Sequence, residues 1–383
     1  MSTPRGSRFV NLEAKHALTK TGEQFFTRRR IPLHELRLAD GRRVFGMHWD
    51  GFDPEHLKRL VAYGLIGEIE LSRTEFISRR SAVMELTRGI VNGILEKRFR
   101  PELKEMIRES PVFAPLRDRV SRVSPEQMRR YVAKHSRRIR LHRKELAYRP
   151  IQSVKAETES SREQRKERVG HVRRIIRAID SETWFLLSIV PRAEGRERLM
   201  SGIQDLVMSY TNRFRVVDYL ALMLMELLQY AEQTQVWNFA ERDPYVRTHP
   251  EELQERLENR EFREKLFSRA EESGSYLTLS YRFHGNPYNP KRAPRMEIVV
   301  TNRGLVGYES RRQILEKRSR SVRNVPLSEF YSVETPGNID TTLGMHYLFY
   351  VEEACRKVGM SFDAELLRDE RSEETRSRIV LSM

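Results

Sequence analysis

WFLLSIVPRAEGRERLMSGIQDLVMSYTNRFRVVDYLALMLMELLQYA, residues 184–231, is where the grammar of the chain changes, and its reading decides the fold of the second half. Residues 184–190 form an apolar run that reads as a strand, halted by Pro191. Leu199, Ile203, Leu206, Val207, Tyr210 and Phe214 then recur at the spacing of one helix face. Asp218 reads as the cap of a second helix, with Leu220, Met223, Leu224, Leu227, Leu228 and Ala231 on its buried stripe. Leu222, Glu226 and Tyr230 share a different face of that helix.

Downstream, a charged insertion at about 238–272 contains the helix-like HPEELQERLENREFREKLFSRAEES. Residues 275–283 and 295–301 alternate as strands and are joined by the turn-rich HGNPYNPKRAP. A loop poor in packing residues covers about 303–340. A helix over about 342–358 then buries Gly344, Leu348, Val351, Cys355 and Val358, and strands at 361–367 and 375–382 close the chain.

Three short stretches within this succession bear on function. The first is Glu226-Leu227-Leu228-Gln229-Tyr230-Ala231, the second Val300-Thr301-Asn302-Arg303-Gly304, and the third Thr341-Thr342-Leu343-Gly344-Met345-His346-Tyr347-Leu348. In order and spacing they resemble the three nucleotide-binding boxes of the GHKL superfamily, which includes histidine kinases, anti-sigma-factor kinases and type II topoisomerases. Residues 184–207 are most similar to the small anti-sigma type. The resemblance implies a two-layer α/β sandwich of Bergerat type over residues 183–383.

It also implies a site that has lost equipment. The family places an asparagine four residues after the glutamate to hold Mg²⁺; here Tyr230 offers a neutral phenol, a poor ligand for a hard cation. Glu226 is retained and would be the catalytic carboxylate of an active member. Asn302 stands where the family has the carboxylate that accepts from adenine, and its amide oxygen can still accept. Gly304 follows it. Gly344 is the one glycine kept where the family keeps several to let backbone approach phosphate. The expectation is a degenerate nucleotide pocket of Tyr230, Asn302, Gly304 and Gly344, without bound ATP, magnesium or another cofactor, in a non-catalytic regulatory or scaffolding protein. An active ATP-binding kinase or ATPase is the alternative.

Upstream, IPLHELRLADGRRVFGMHW, residues 31–49, places two extended runs around Ala39-Asp40-Gly41 and reads as a β-hairpin. Helices are expected from Asp53-Pro54 to about 63, over 75–99, from Ser124-Pro125 to about 147, and over 160–179, with polar residues 155–161 as a linker. The fold class is therefore α+β: an N-terminal domain (1–115), mostly helical with a hairpin, a basic helical segment (116–182) and the C-terminal domain (183–383).

Charge points to partners. The 383 residues carry a net +16, and residues 117–180 hold 20 Lys or Arg against 8 Asp or Glu. Such a field attracts an acidic protein surface or a polyanion. A regulatory protein partner is expected, with a second copy of the chain as a further possibility. A nucleic-acid footprint of Arg129, Arg130, Lys134, Arg137, Arg138, Arg140, Arg143 and Lys144 is the other alternative; these do not form one stripe, and only Tyr131 and Tyr148 lie near enough to stack.

The remaining signals mostly exclude. A single cysteine, Cys355, leaves no internal disulfide and fits a reducing cytoplasm. No run is apolar and long enough to span a bilayer. His135, His142 and His171 lie on basic helices and are expected to be solvated or helix-face histidines, and no metal site is expected. His34-Glu35-Leu36-Arg37 spells the start of a phosphoacceptor box, but in a strand rather than on an exposed helix.

Overall fold

The computed structural model describes residues 14–49, 54–72, 80–158, 160–242, 259–272, 277–285, 294–303, 343–369 and 374–383. In chain order it forms β1 (Ala14–Leu18), α1 (Lys20–Arg28), β2 (His34–Arg37), β3 (Arg43–Trp49), α2 (Pro54–Ala62), β4 (Ile66–Ser72) and α3 (Arg80–Glu109). A short 3₁₀ turn leads to α4 (Arg117–Ser121), α5 (Pro125–Lys134), α6 (Ser136–Ala156), α7 (Arg162–Arg177), α8 (Ser181–Ile189) and α9 (Ala193–Arg242). The chain continues with α10 (Arg260–Glu272), β5 (Leu277–His284), β6 (Arg295–Arg303), α11 (Leu343–Lys357), β7 (Ser361–Asp369) and β8 (Glu374–Ser382). Two compact units interleave along the sequence: Met1–Arg88, Tyr219–His284 and Arg295–Ser382 make the first, and Gly89–Asp218 with Gly285–Pro294 the second.

The first unit is built on one antiparallel sheet in the order β2-β3-β1-β4-β5-β6-β8-β7. Its strands alternate between two kinds of face, as a sheet with one apolar side requires. Ile69, Leu71, Leu279, Tyr281, Ile298, Val300, Ile379 and Leu381 are buried on the apolar side. There Tyr281 shares a 2.7 Å hydrogen bond with Thr87 of α3, whose hydroxyl also reaches the Val83 carbonyl.

The opposite face is a ladder of ion pairs. Glu70 meets Lys15 at 2.9 Å, Glu68 meets Arg42 and Arg282 at 2.5 and 2.8 Å, and Arg282 also reaches Asp40 at 2.8 Å. Further along, Arg378 bridges Glu297 at 2.6 Å and Glu365 at 3.0 Å. Burial alone would push the Asp40 and Glu297 carboxyls up. Hydrogen bonds and charge from Arg42 and Arg282 around the first, and from Arg378, Arg282 and His284 around the second, outweigh it and hold both below their ordinary values.

The second unit is helical. Its core includes Phe99 edge-on to Tyr210 at 5.2 Å, Tyr131 edge-on to Phe185 at 5.3 Å, and a buried Trp184 whose indole donates to the Ile179 carbonyl.

The hairpin read from residues 31–49 is β2 and β3, with Gly41 in the connection at φ +84°, a conformation that favours glycine. Two readings are corrected. Residues 184–190 are not a strand but lie in and just after α8: Thr183 to Leu187 are all buried, so the run has no period to tell helix from strand, while Asp180 caps the helix through the Thr183 amide. Asp218 starts no second helix, because α9 runs unbroken through it for 50 residues; the carboxylate instead lies 3.5 Å from Arg168. Helix α9 accordingly extends into the start of the expected insertion, of which residues 243–258 lie outside the described residues.

Candidate functional site

In the first unit, the residues singled out at the three boxes fall on α9, β6 and α11. Glu226 is half-buried on α9, and Tyr230 follows it one turn later on the same helix. Gly344 lies in the first turn of α11. Gly304 and the stretch 304–342 lie outside the described residues.

Asn302 is the best-defined member. The alternation of β6 carries it to the apolar side of the sheet, in line with Ile298 and Val300, where it is only 2% exposed. It is in register with Leu277 on β5 and Thr375 on β8, both buried. Its amide nitrogen has no hydrogen-bond partner among the described residues. A buried amide donor left unmatched costs free energy, so the position asks for an acceptor. Gln235, 1% exposed near the end of α9, likewise has neither side-chain polar atom matched among the described residues. Spacing gave no reason to single it out, because one buried glutamine on a helix leaves no motif.

Cys355 is fully buried on α11, as the helical stripe suggests, and burial together with the charge of Glu352 pushes its thiol up to about 12. It is therefore a packing residue and a poor nucleophile at neutral pH.

In the second unit, α5 carries Arg129, Arg130 and Lys134, and α6 carries Arg137, Arg138, Arg140, Arg143 and Lys144. All but Arg143 are exposed, and Arg130 is held by Glu126 at 2.6 Å. Arg143 lies over the Trp184 ring, 5.5 Å from its centroid. Tyr131 is no stacking platform, since Phe185 and His135 cover its ring, whereas Tyr148 is 65% exposed.

Of the two readings for these histidines, His171 takes the helix-face one and is not solvated. It is 2% exposed, hydrogen-bonded to Glu96, 3.4 Å from Glu167 and stacked on Phe214, with Arg174 also bonded to Glu96 at 2.8 Å. The helix face that carries it is the buried one, with Val172, Ile175 and Ile176 beside it. His142 is half-buried and meets Glu145 at 3.4 Å, and His34 stands on exposed β2 as read. Among the described residues, no group of three His, Cys, Asp or Glu is arranged to hold a metal ion, and no helix is long and apolar enough to cross a membrane.

Residues 5–383 match the model of a family of unknown function (DUF8084), and the chain belongs to that family. It is 23% identical over 389 aligned positions to a protein of Treponema pallidum (strain Nichols) described as uncharacterized, with 98% of each chain covered. No solved structure matches.

Proposed function

We propose that this DUF8084 chain is a non-catalytic regulatory protein whose sheet-containing unit is a degenerate histidine-kinase-like ATPase fold, used to bind a protein partner. The observation that carries the reading is Asn302. An amide nitrogen without a partner among the described residues, buried at the end of β6, stands where the resemblance puts the residue that meets a purine. The succession α9, β5, β6, α11, β7, β8 is also compatible with the expected one, although the expected first strand and the break between two helices at Asp218 are missing.

The chemistry of the donor set argues against turnover. Mg²⁺ takes oxygen ligands and prefers carboxylates, and Tyr230, four residues after Glu226, offers only a neutral phenol. The residues present do not fit a magnesium triphosphate, and no catalytic step is assigned to them. A fold retained after its metal ligand is lost keeps a shaped surface, which is the property a regulatory partner needs.

Isothermal titration of the full chain with Mg-ATP, Mg-ADP and metal-free ADP tests the reading. The expected result is no magnesium-dependent binding and no hydrolysis. Micromolar Mg-ATP affinity that disappears in Glu226→Ala or Asn302→Ala would overturn it and establish an active nucleotide site.

A further inference from the structure

Helices α6 and α7 pack against each other and leave a groove of about 380 Å³ in the helical unit. Its floor is apolar, made by Ala147, Ile151 and Ile176, with the exposed ring of Tyr148 at one side. Lys144, Arg173 and Arg177 stand exposed around it. No carboxylate lines it among the described residues.

Two features separate this groove from an ordinary solvated helix face. First, Lys144, Arg173 and Arg177, which like Arg137, Arg138 and Arg140 have no ion pair or hydrogen bond with any described residue, here stand around an apolar floor rather than on an open polar face. Second, the apolar surface continues beyond the groove. Leu141 is 60% exposed, two helical turns before Tyr148 and on the same face of α6, about 10 Å away along the axis at 1.5 Å per residue.

We propose that this groove docks an acidic amphipathic helix of a partner protein. Leu141 and Tyr148 are spaced like the i and i+7 anchors of a helix laid along α6, so the partner's apolar face meets them and the floor of Ala147, Ile151 and Ile176. Its flanking carboxylates meet Lys144, Arg173 and Arg177, which have no counter-charge among the described residues. A nucleic acid fits less well: phosphates would find the rim, but a base would find one aromatic ring and only Gln152 as a neutral polar side chain. This inference rests on the helical unit alone and does not depend on the histidine-kinase-like reading of the other.

The test is fluorescence anisotropy on the full chain. The probes are a labelled Glu-rich peptide with Leu at i, i+3 and i+7, a scrambled peptide of the same composition, single-stranded oligodeoxythymidine, and vesicles of phosphatidylglycerol. The expected result is saturable binding of the patterned peptide, with the scrambled one at least about tenfold weaker. Affinity should fall by about tenfold or more in Arg173→Glu/Arg177→Glu and, separately, in Leu141→Ser/Tyr148→Ala. All four positions are exposed, so both variants should keep the parent's circular dichroism and melting temperature. Equal binding of the scrambled peptide, failure of the patterned peptide to bind, or binding unchanged in either variant overturns the proposal. So does tighter binding of the oligonucleotide or the vesicles that is lost in the same variants.

Discussion

Asp180 performs two tasks with one carboxylate. Its oxygen accepts from the Thr183 amide at 2.9 Å and hydroxyl at 2.8 Å, closing the N-terminus of α8, while Lys104 lies 3.3 Å away. Burial alone would raise the carboxyl, but the Thr183 hydrogen bonds and Lys104 outweigh it and hold it below its ordinary value. Asp180→Ala removes the cap and is expected to cost about 1–2 kcal/mol, whereas Asp180→Asn keeps an acceptor oxygen and should cost less. Urea denaturation of the two variants checks this, and equal losses would mean that charge rather than capping is what matters. The same residue holds the signal that was missed in the sequence. An aspartate three residues before a threonine, with Glu182 in the first turn, marks a helix start, yet the apolar run behind it carries the look of a strand.

At the scale of elements, legibility followed periodicity. Strand β5 alternates cleanly, and its placement followed from Leu277, Leu279 and Tyr281 facing one way and Thr278, Ser280 and Arg282 the other. Ser161 begins α7 with a full capping box, close to where the pattern put it. Strands β1 and β4 were not legible. Ala14–Leu18 is five residues with His16 on the buried side, and Ile66–Ser72 contains Glu68 and Glu70, whose burial makes sense only once Arg42, Arg282 and Lys15 are opposite them. Nothing local announces partners that far away in the chain. Close packing also reverses a local rule at α1. Gly22 lies in its first turn, where alanine would gain about 1 kcal/mol of helix propensity. A Cβ there would overlap the Leu65 carbonyl, a backbone atom that cannot swing aside. Gly22→Ala is therefore expected to destabilise by about 1–3 kcal/mol, read as a lower melting temperature. A stabilised Gly22→Ala protein would show that α1 can shift away from the turn before β4.

At the scale of the whole molecule, the sheet-containing unit is assembled from three separate stretches of chain, which is why its architecture was only half visible in the sequence. Pairing of β4 with β5 sets Glu68 opposite Arg282, and both the apolar side and the ion-pair ladder run across that join. At the candidate site, Asn302 was singled out through a resemblance in sequence, whereas its burial within β6 depends on Leu277 and Thr375 in neighbouring strands. The ladder and the Asp180 cap give the protein a directional response to acid. Asp40, Asp180 and Glu297 are all held below their ordinary values of 3.8, 3.8 and 4.5. A carboxylate whose pKa is lower folded than unfolded binds protons more readily when unfolded. Its contribution is therefore fully present above the unfolded value and is lost as pH falls through the folded one. Melting temperature at constant ionic strength should stay level from pH 7 to about pH 5 and drop steadily below about pH 4. Glu297→Gln cannot gain a proton on unfolding, so it should lower the melting temperature at pH 7 and flatten the acid slope, because Arg378 then meets a neutral amide instead of a carboxylate. A slope unchanged in that variant would take Glu297 out of the acid response and leave it with Asp40 and Asp180.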